Sequence, residues 1–159
     1  MPRTGRISQR ETEPDPIFAN QSVTKLINTV MRQGKKTIAQ RHVYTALKLV
    51  KEKTGKDPLE VFEVALRNVT PQMEVRSRRV GGAAYQVPAP IKGRRSLSLA
   101  LRWLVRGAKE RSNKEYHTFS EKLAAELIDA ANGEGAAFHR KMTAHKMADA
   151  NKAFAHFRL

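Results

Sequence analysis

Apolar residues recur at intervals of three and four along most of the chain, which is the spacing of amphipathic helices. The pattern predicts three helices before residue 72 and three more after residue 92. Capping residues mark several helix ends: we expect Gly34 to end the first helix, Asp57 to begin the third, and Thr118 to begin the fifth. The predicted helices cover approximately residues 20–33, 35–53, 58–70, 95–110, 118–133 and 136–154.

The segment between the third and fourth helices has a different pattern. Val75, Val80 and Val87 flank a Gly81-Gly82 pair, and prolines close the segment. This composition predicts two strands joined by a tight turn. A two-stranded ribbon alone is marginally stable in water, and its first strand is rich in arginine. We therefore expect the ribbon to project from the helical body and to be ordered by a partner. The alternative is a hairpin that packs on the helices.

These elements predict a mainly α fold, in which a single domain of six helices carries a protruding two-stranded β-ribbon arm between helices three and four. A chain of 159 residues without a long structureless loop is typical of one domain. The segments are a basic N-terminal extension (1–17), helices one to three (18–72), the ribbon arm (73–90), helices four to six (92–155) and a tail (156–159).

The charge of the chain narrows the range of partners. There are 30 Lys and Arg residues against 15 Asp and Glu residues, which gives a formal net charge of +15. Such a charge favours a polyanionic partner, nucleic acid before an anionic membrane. It is also concentrated, because residues 76–111 contain ten basic residues and a single acidic one, Glu110. Arg102, Arg106 and Lys109 share one helical face, which we call the cationic ridge. No apolar run approaches the roughly 20 residues needed to cross a bilayer.

Sequence motifs for catalysis or metal binding are missing. The chain has no cysteine, which excludes disulfides, Cys-ligated zinc and a cysteine nucleophile. It also lacks a dinucleotide or phosphate-binding glycine loop, a nucleophile elbow and a zinc-protease motif. His145 and Asp149 are one helical turn apart and could pair, but a hydrogen bond on a helix surface explains that spacing equally well. We therefore expect no catalytic residues, no metal and no cofactor, and interpret the protein as not an enzyme.

Several collinear stretches carry a family resemblance that covers nearly the whole chain. They are Arg78-Arg79-Val80-Gly81-Gly82-Ala83-Ala84-Tyr85-Gln86-Val87-Pro88, Ala100-Leu101-Arg102-Trp103, Ala125-Glu126-Leu127-Ile128-Asp129-Ala130-Ala131 and the ending from His145 to Arg158. With them the chain strongly resembles the family of protein seven of the small ribosomal subunit, bacterial type. Four such stretches in the same order along one chain identify a family far more specifically than any single motif does.

The resemblance implies a structural constituent of the small ribosomal subunit with six helices and a ribbon arm. It further implies a primary binder of the 3′ major domain of the small-subunit ribosomal RNA (rRNA), which nucleates assembly of the subunit head. The ribbon of such proteins reaches toward the exit-site transfer RNA (tRNA) and toward neighbouring protein eleven at the messenger exit. The implied location is the ribosome in the cytoplasm, with an organellar ribosome left open, and no membrane partner.

The residues implied to face RNA lie in the N-terminal extension, between the first two helices, on the ribbon and on the fourth helix. The two glycines would let the ribbon backbone turn tightly or approach RNA closely. The candidates are Arg3, Arg6, Arg10, Lys35, Lys36, Arg76, Arg78, Arg79, Gly81, Gly82, Arg94, Arg95, Arg102 and Arg106.

Two other classes of function remain open at this point. A DNA-binding architectural protein with a basic β-ribbon arm fits the composition and the ribbon pattern equally well. A nucleic-acid enzyme would need a nucleophile, a metal cluster or an acid–base pair, and the sequence offers none.

Overall fold

A computed structural model describes residues 11–157, which form a helical body with one two-stranded sheet. The expected fold class is confirmed, with one short helix added at the C-terminal end. No helix within this range is long and apolar enough to cross a membrane. The elements are α1 (Gln21–Val30), α2 (Lys36–Thr54), α3 (Pro58–Val69), β1 (Met73–Val80), β2 (Ala83–Pro90), α4 (Arg94–Glu110), α5 (Phe119–Ala131), α6 (Gly135–Ala150) and a 3₁₀ helix (Lys152–Phe157).

The helix ends follow the expected capping chemistry in most cases. The Asp57 carboxylate accepts a hydrogen bond from the Leu59 amide, and Pro58 occupies the first position of α3. At α5 the Thr118 hydroxyl and the Glu121 carboxylate each accept from the other residue's backbone amide, which completes a capping box. Capping residues therefore predict where α3 and α5 begin.

Two predicted helix ends are wrong. α1 ends at Val30 rather than at Gly34, which instead adopts a left-handed conformation (φ +74°) in the turn that leads into α2. α6 ends at Ala150 rather than near Phe154, where the Asn151 side-chain amide donates to the Met147 carbonyl at 2.8 Å. This side-chain bond competes with the backbone bonding of the last turn, and the chain tightens into the 3₁₀ helix, which packs on β2.

The hydrophobic core is centred on α5, which packs against α2, α3 and α4. Phe62 of α3, Leu104 of α4 and Leu123 of α5 are completely buried in it. Burying a side chain of this size contributes about 1.5–3 kcal/mol relative to leaving it in water. The helices therefore form one framework that fixes the surface on which the basic residues lie.

A buried ionic group ties the C-terminal end of α4 to α5 and α6. The Glu126 carboxylate, which is fully buried, accepts from the Ala137 amide at 2.9 Å and pairs with Arg111 at 2.7 Å. Arg111 also pairs with Asp129. Burial lowers the pKa of Arg111, but the hydrogen bonds to Asp129 and Glu126 outweigh it and raise that pKa. A Cβ at Gly107 would lie 2.6 Å from a Glu126 carboxylate oxygen, so the glycine makes room for this group.

The N-terminal segment is attached to the helical body from Asp15 onward. This buried carboxylate accepts from the Ile17 and Phe18 amides, both at 3.1 Å, and from the Tyr44 hydroxyl at 2.7 Å. Burial and the Asp15 hydrogen bond raise the pKa of Tyr44 to about 12. The part of the N-terminal extension around Asp15 is therefore not extended, because the Asp15 side chain forms a local turn and a tether to α2.

The ribbon has the two predicted strands and the tight turn, but its inner half packs on the protein itself. Val87 and Pro88 are buried, β1 contacts α6, and β2 contacts the 3₁₀ helix. The Tyr85 ring lies 5.4 Å from the Phe154 ring and 5.1 Å from the Phe157 ring. The expectation that a partner orders the ribbon is therefore wrong for this half, where the alternative of a hairpin packed on the helices holds. The strand ends next to the Gly81-Gly82 turn are exposed.

Candidate nucleic-acid interface

Basic side chains line a groove between α1 and α4. One cavity of about 410 Å³ lies between Lys25 and Thr29 of α1 and Arg94 and Ser98 of α4. Next to it is a second cavity of about 360 Å³, which Thr29 also lines. The cationic ridge of α4 and Arg140 of α6 form the walls of this second cavity.

A third cavity, of about 310 Å³, continues the groove toward the loop between α1 and α2. Arg32 and Lys35 from that loop line it together with Lys109, and Lys109 also lines the second cavity. The three cavities therefore follow one surface, which we call the basic face. Its cations are Lys25, Arg32, Lys35, Arg94, Arg102, Arg106, Lys109 and Arg140.

Two acidic residues lie at the basic face: Glu11 lines the first cavity, and Glu110 lies at the end of the cationic ridge. Arg106 pairs with Glu110 at 3.0 Å, and both side chains are exposed, so the pair contributes little to stability. Among the residues described, Arg32, Lys35 and Lys109 have no ion pair. Partial burial and then the charge of Arg32 lower the pKa of Lys109, which is the effect of bringing like charges together. A polyanion bound here would relieve this repulsion.

A second group of cations lies at the base of the ribbon. Arg95 donates three hydrogen bonds to the Glu74 carboxylate, at 2.8, 2.9 and 3.0 Å, and Arg76 binds the same carboxylate. The hydrogen bond from Arg95 is the main reason that the pKa of Glu74 is lowered, and it outweighs the opposing effect of burial. Arg78 donates to the Phe157 carbonyl at 3.4 Å. Arg95 and Arg78 therefore connect the ribbon to α4 and to the 3₁₀ helix, whereas the pair of Arg76 with Glu74 lies within β1; all three arginines remain exposed to solvent.

The remaining predicted residues have simpler surroundings. Arg79 and Lys36 are exposed. Gly81 and Gly82 have φ values of +58° and +90°, which the turn requires, and a Cβ on either would meet no atom within 4 Å. Arg3, Arg6 and Arg10 lie outside the described residues.

The structure adds basic residues that the sequence reasoning missed. Lys25, Arg32 and Arg140 belong to the basic face, and Lys92 lines a separate cavity at the ribbon with Arg76 and Arg78. Two of these residues have a sequence signal: Arg32 precedes the basic Gly34-Lys35-Lys36 loop by two residues, and Lys92 belongs to the cation-rich stretch 76–111. Lys25 and Arg140 are single cations that only the packing of α1, α4 and α6 brings to this surface.

His145 and His42 each have a hydrogen-bond partner that ties two parts of the fold together. His145 accepts a hydrogen bond from the Gln72 amide at 3.1 Å through Nε2, so the structure does not show the suggested pair with Asp149. His42 Nδ1 lies 3.1 Å from the Ser120 hydroxyl. Between residues 11 and 157, no three acidic or histidine side chains come together as metal ligands.

Comparison with known proteins agrees with the resemblance. The model of the family described as "Ribosomal protein S7p/S5e" matches residues 2–152. The chain belongs to this family. Curated relatives called small ribosomal subunit protein uS7 are 56% identical in Thermoanaerobacter sp. (strain X514), 57% in Caldicellulosiruptor saccharolyticus and 56% in Moorella thermoacetica. Each alignment covers 99% of this chain and 99% of the relative. Membership of the S7p/S5e family thus extends over the whole fold, the ribbon and the basic face included.

Proposed function

We propose that the protein is a structural component of the small ribosomal subunit and binds small-subunit rRNA through its basic face. The observation that carries this proposal is one continuous groove lined by cations from α1, α4 and the intervening loop. Membership of a ribosomal protein family supports it independently. The place of action is then the ribosome, in the cytoplasm of a bacterium.

The chemistry of binding is electrostatic and geometric rather than catalytic. Arginine and lysine neutralise phosphates and release condensed counterions, and the planar arginine head adds bidentate geometry. The major groove of an A-form helix is too deep and narrow for side chains to read. We therefore expect contacts to phosphates, to 2′-hydroxyls and to unpaired loops, so that the shape of a folded RNA junction provides the specificity.

In finer detail, we infer that the RNA is the 3′ major domain and that binding nucleates assembly of the head. The family resemblance supports this assignment. The ribbon would face the exit-site tRNA and protein eleven, because its exposed end carries Arg79 and its base is held against the body by the pair of Arg95 with Glu74. No enzymatic step is needed for this role.

Salt-dependent binding tests the proposal. If the basic face and the ribbon together neutralise roughly 6–10 phosphates, the affinity for a 3′ major domain RNA should fall about 10³–10⁵-fold between 50 and 200 mM salt. A duplex DNA of the same length is the control and should bind much more weakly at every salt concentration. An affinity for the RNA that hardly changes with salt contradicts the mechanism. Equal affinities for the DNA and the RNA would favour the DNA-architectural alternative.

A further inference from the structure

The cavity next to the loop between α1 and α2 differs from the rest of the basic face in having an apolar interior. Val30 and Ala39, both buried, form its floor. Ile38 and Phe119 form part of its walls, and Ile38 is 51% exposed although it is a large aliphatic side chain. Its volume of about 310 Å³ is at the lower end of the range for small-molecule sites, roughly 300–1,000 Å³.

The aromatic wall of this cavity is held in place by the surrounding fold. The His42 ring meets the Phe119 ring edge-on, with the ring centres 5.9 Å apart and an angle of 88° between the planes. Ser120 fixes His42 through the 3.1 Å contact at Nδ1. Phe119 is the first residue of α5, directly after the Thr118 cap, so its backbone is fixed as well. A planar ligand would therefore meet a wall that does not need to be ordered first.

The rim of the same cavity is cationic. Arg32, Lys35 and Lys109 surround the opening, and no carboxylate among the described residues pairs with any of them. The lowered pKa of Lys109 reflects its partial burial and the nearby charge of Arg32. A purely apolar partner would leave these charges unneutralised, and a bare phosphate would leave the apolar interior open. A ligand that carries both an apolar planar group and a phosphate satisfies both parts.

We propose that this cavity receives one unpaired nucleobase of the bound RNA, with the base against Phe119 and Ile38 and its flanking phosphates at Arg32, Lys35 and Lys109. The inference rests on the proposed RNA-binding function and adds a contact that phosphate neutralisation does not require. Bases of single-stranded loops commonly stack on Phe and His side chains. Loss of one such stacking contact typically weakens binding about 5- to 100-fold.

Two substitutions separate the base contact from the phosphate contacts. Phe119→Leu keeps an apolar side chain but removes the aromatic face, so the affinity for a 3′ major domain RNA should fall about 5- to 100-fold with an unchanged salt slope. Lys109→Gln should instead make the slope of log affinity against log salt shallower by about one. Phe138→Leu is the matched control: this half-buried phenylalanine of α6 does not line the cavity, and its affinity should equal that of the wild type.

Ile38→Ala tests the same cavity with a variant that should fold normally. Because Ile38 is half exposed, its truncation should leave the thermal transition unchanged. It should still weaken RNA binding. In addition, ultraviolet irradiation of the wild-type complex should attach a nucleotide to the peptide that contains Phe119, which mass spectrometry detects.

The results distinguish this inference from the proposed function. If Phe119→Leu and Ile38→Ala bind like the wild type while the salt slope stays steep, the base contact is refuted and RNA binding stands. That outcome would also be expected if a neighbouring protein covered the cavity. If the affinity of the wild type itself does not depend steeply on salt, the proposed RNA-binding function is contradicted, and the base contact that rests on it is contradicted as well.

Discussion

The Tyr85 ring of β2 lies 5.1 Å from the Phe157 ring, so the ribbon and the last described turn of the chain hold each other. Phe154 completes a three-ring cluster, and Arg78 of the opposite strand donates to the Phe157 carbonyl. A two-stranded ribbon needs such support, since it is marginally stable by itself. The orientation of the arm therefore depends on the C-terminal 3₁₀ helix as well as on the strands.

Phe157→Ala should loosen the ribbon without unfolding the body. Aromatic pairs of this kind contribute about 0.5–1.5 kcal/mol beyond area burial. We expect β2 amides to exchange with solvent roughly 2- to 12-fold faster by hydrogen-exchange mass spectrometry, with a nearly unchanged thermal midpoint. Met147→Ala, which removes an exposed side chain of α6, is the control and should leave this exchange unaltered. Unchanged β2 protection in Phe157→Ala would show that the cluster does not order the arm.

The ribbon arginines should matter for binding more than for folding. Replacing Arg76, Arg78 and Arg79 with Ala should shift the thermal midpoint very little, because exposed charges contribute at most about 1 kcal/mol each and Arg95 keeps its bonds to Glu74. Small subunits reconstituted with this variant should hold exit-site tRNA less tightly, as measured by filter binding. A collapse of the helical circular-dichroism signal would instead give these arginines a structural role.

Removing the charge of Glu126 should destabilise the protein. In Glu126→Gln the carbonyl oxygen can still accept from the Ala137 amide, but the new amino group then faces the Arg111 guanidinium. Loss of a hydrogen bond between charged groups costs about 1.5–3 kcal/mol, and urea denaturation should show a decrease of that size. Gly107→Ala should also destabilise, because the added Cβ would meet the same carboxylate at 2.6 Å. Glu134→Gln, an exposed site on the neighbouring turn, is the control.

The tether between Asp15 and Tyr44 predicts a pH dependence at the alkaline end. The pKa of Tyr44 is about 12 in the folded state against an ordinary value of 10.0, so the folded state binds this proton more tightly. Its contribution to stability is complete below pH 10 and is lost as the pH rises from 10 toward 12. Tyr44→Phe should cost about 1.5–3 kcal/mol at pH 7, because Asp15 loses a hydrogen bond.

The difference in unfolding free energy between the wild type and Tyr44→Phe should therefore shrink from pH 10 to pH 12. Denaturant unfolding at several pH values measures this difference. The lysines and the other tyrosines, which titrate in the same range, contribute equally to both proteins and therefore cancel. A constant difference would contradict the role of the Asp15 hydrogen bond.

Local signals in the sequence predict the helices of this fold, but they do not predict how the two ends of the chain pack against the helices and the ribbon. Asp57 and Thr118 act within their own helices, so capping rules place α3 and α5 correctly. Asn151 is different, because whether a helix stops at a polar residue depends on what the following chain packs against, here the ribbon. The same holds for Asp15, whose tether to Tyr44 joins residues 29 positions apart.

The candidate site divides in the same way. Arg102, Arg106 and Lys109 follow from helical spacing, since one helix presents them all. The apolar cavity does not, because its walls come from α2 and α5 and its rim from a loop and α4. No periodicity links Ile38 to Phe119, and only the tertiary packing of these helices brings the two together.

The cationic ridge provides the most direct test of the basic face. Arg102 and Arg106 are exposed, and the only acidic partner of either within residues 11–157 is Glu110. The double variant Arg102→Gln and Arg106→Gln should fold normally, with a thermal midpoint within about 2 °C of the wild type, since exposed charges contribute little. Its salt slope for a 3′ major domain RNA should become shallower by about two, because two phosphate contacts are lost.

The matched control is Lys51→Gln with Lys53→Gln, two exposed cations in the last turn of α2 that line no part of the basic face. Both double variants lose the same net charge, so a general effect of the overall charge would weaken binding equally in the two. We expect the loss to be confined to the variant of Arg102 and Arg106, because counterions are released only where a cation meets a phosphate. Equal losses would mean that RNA responds to the total charge of the protein and not to this surface.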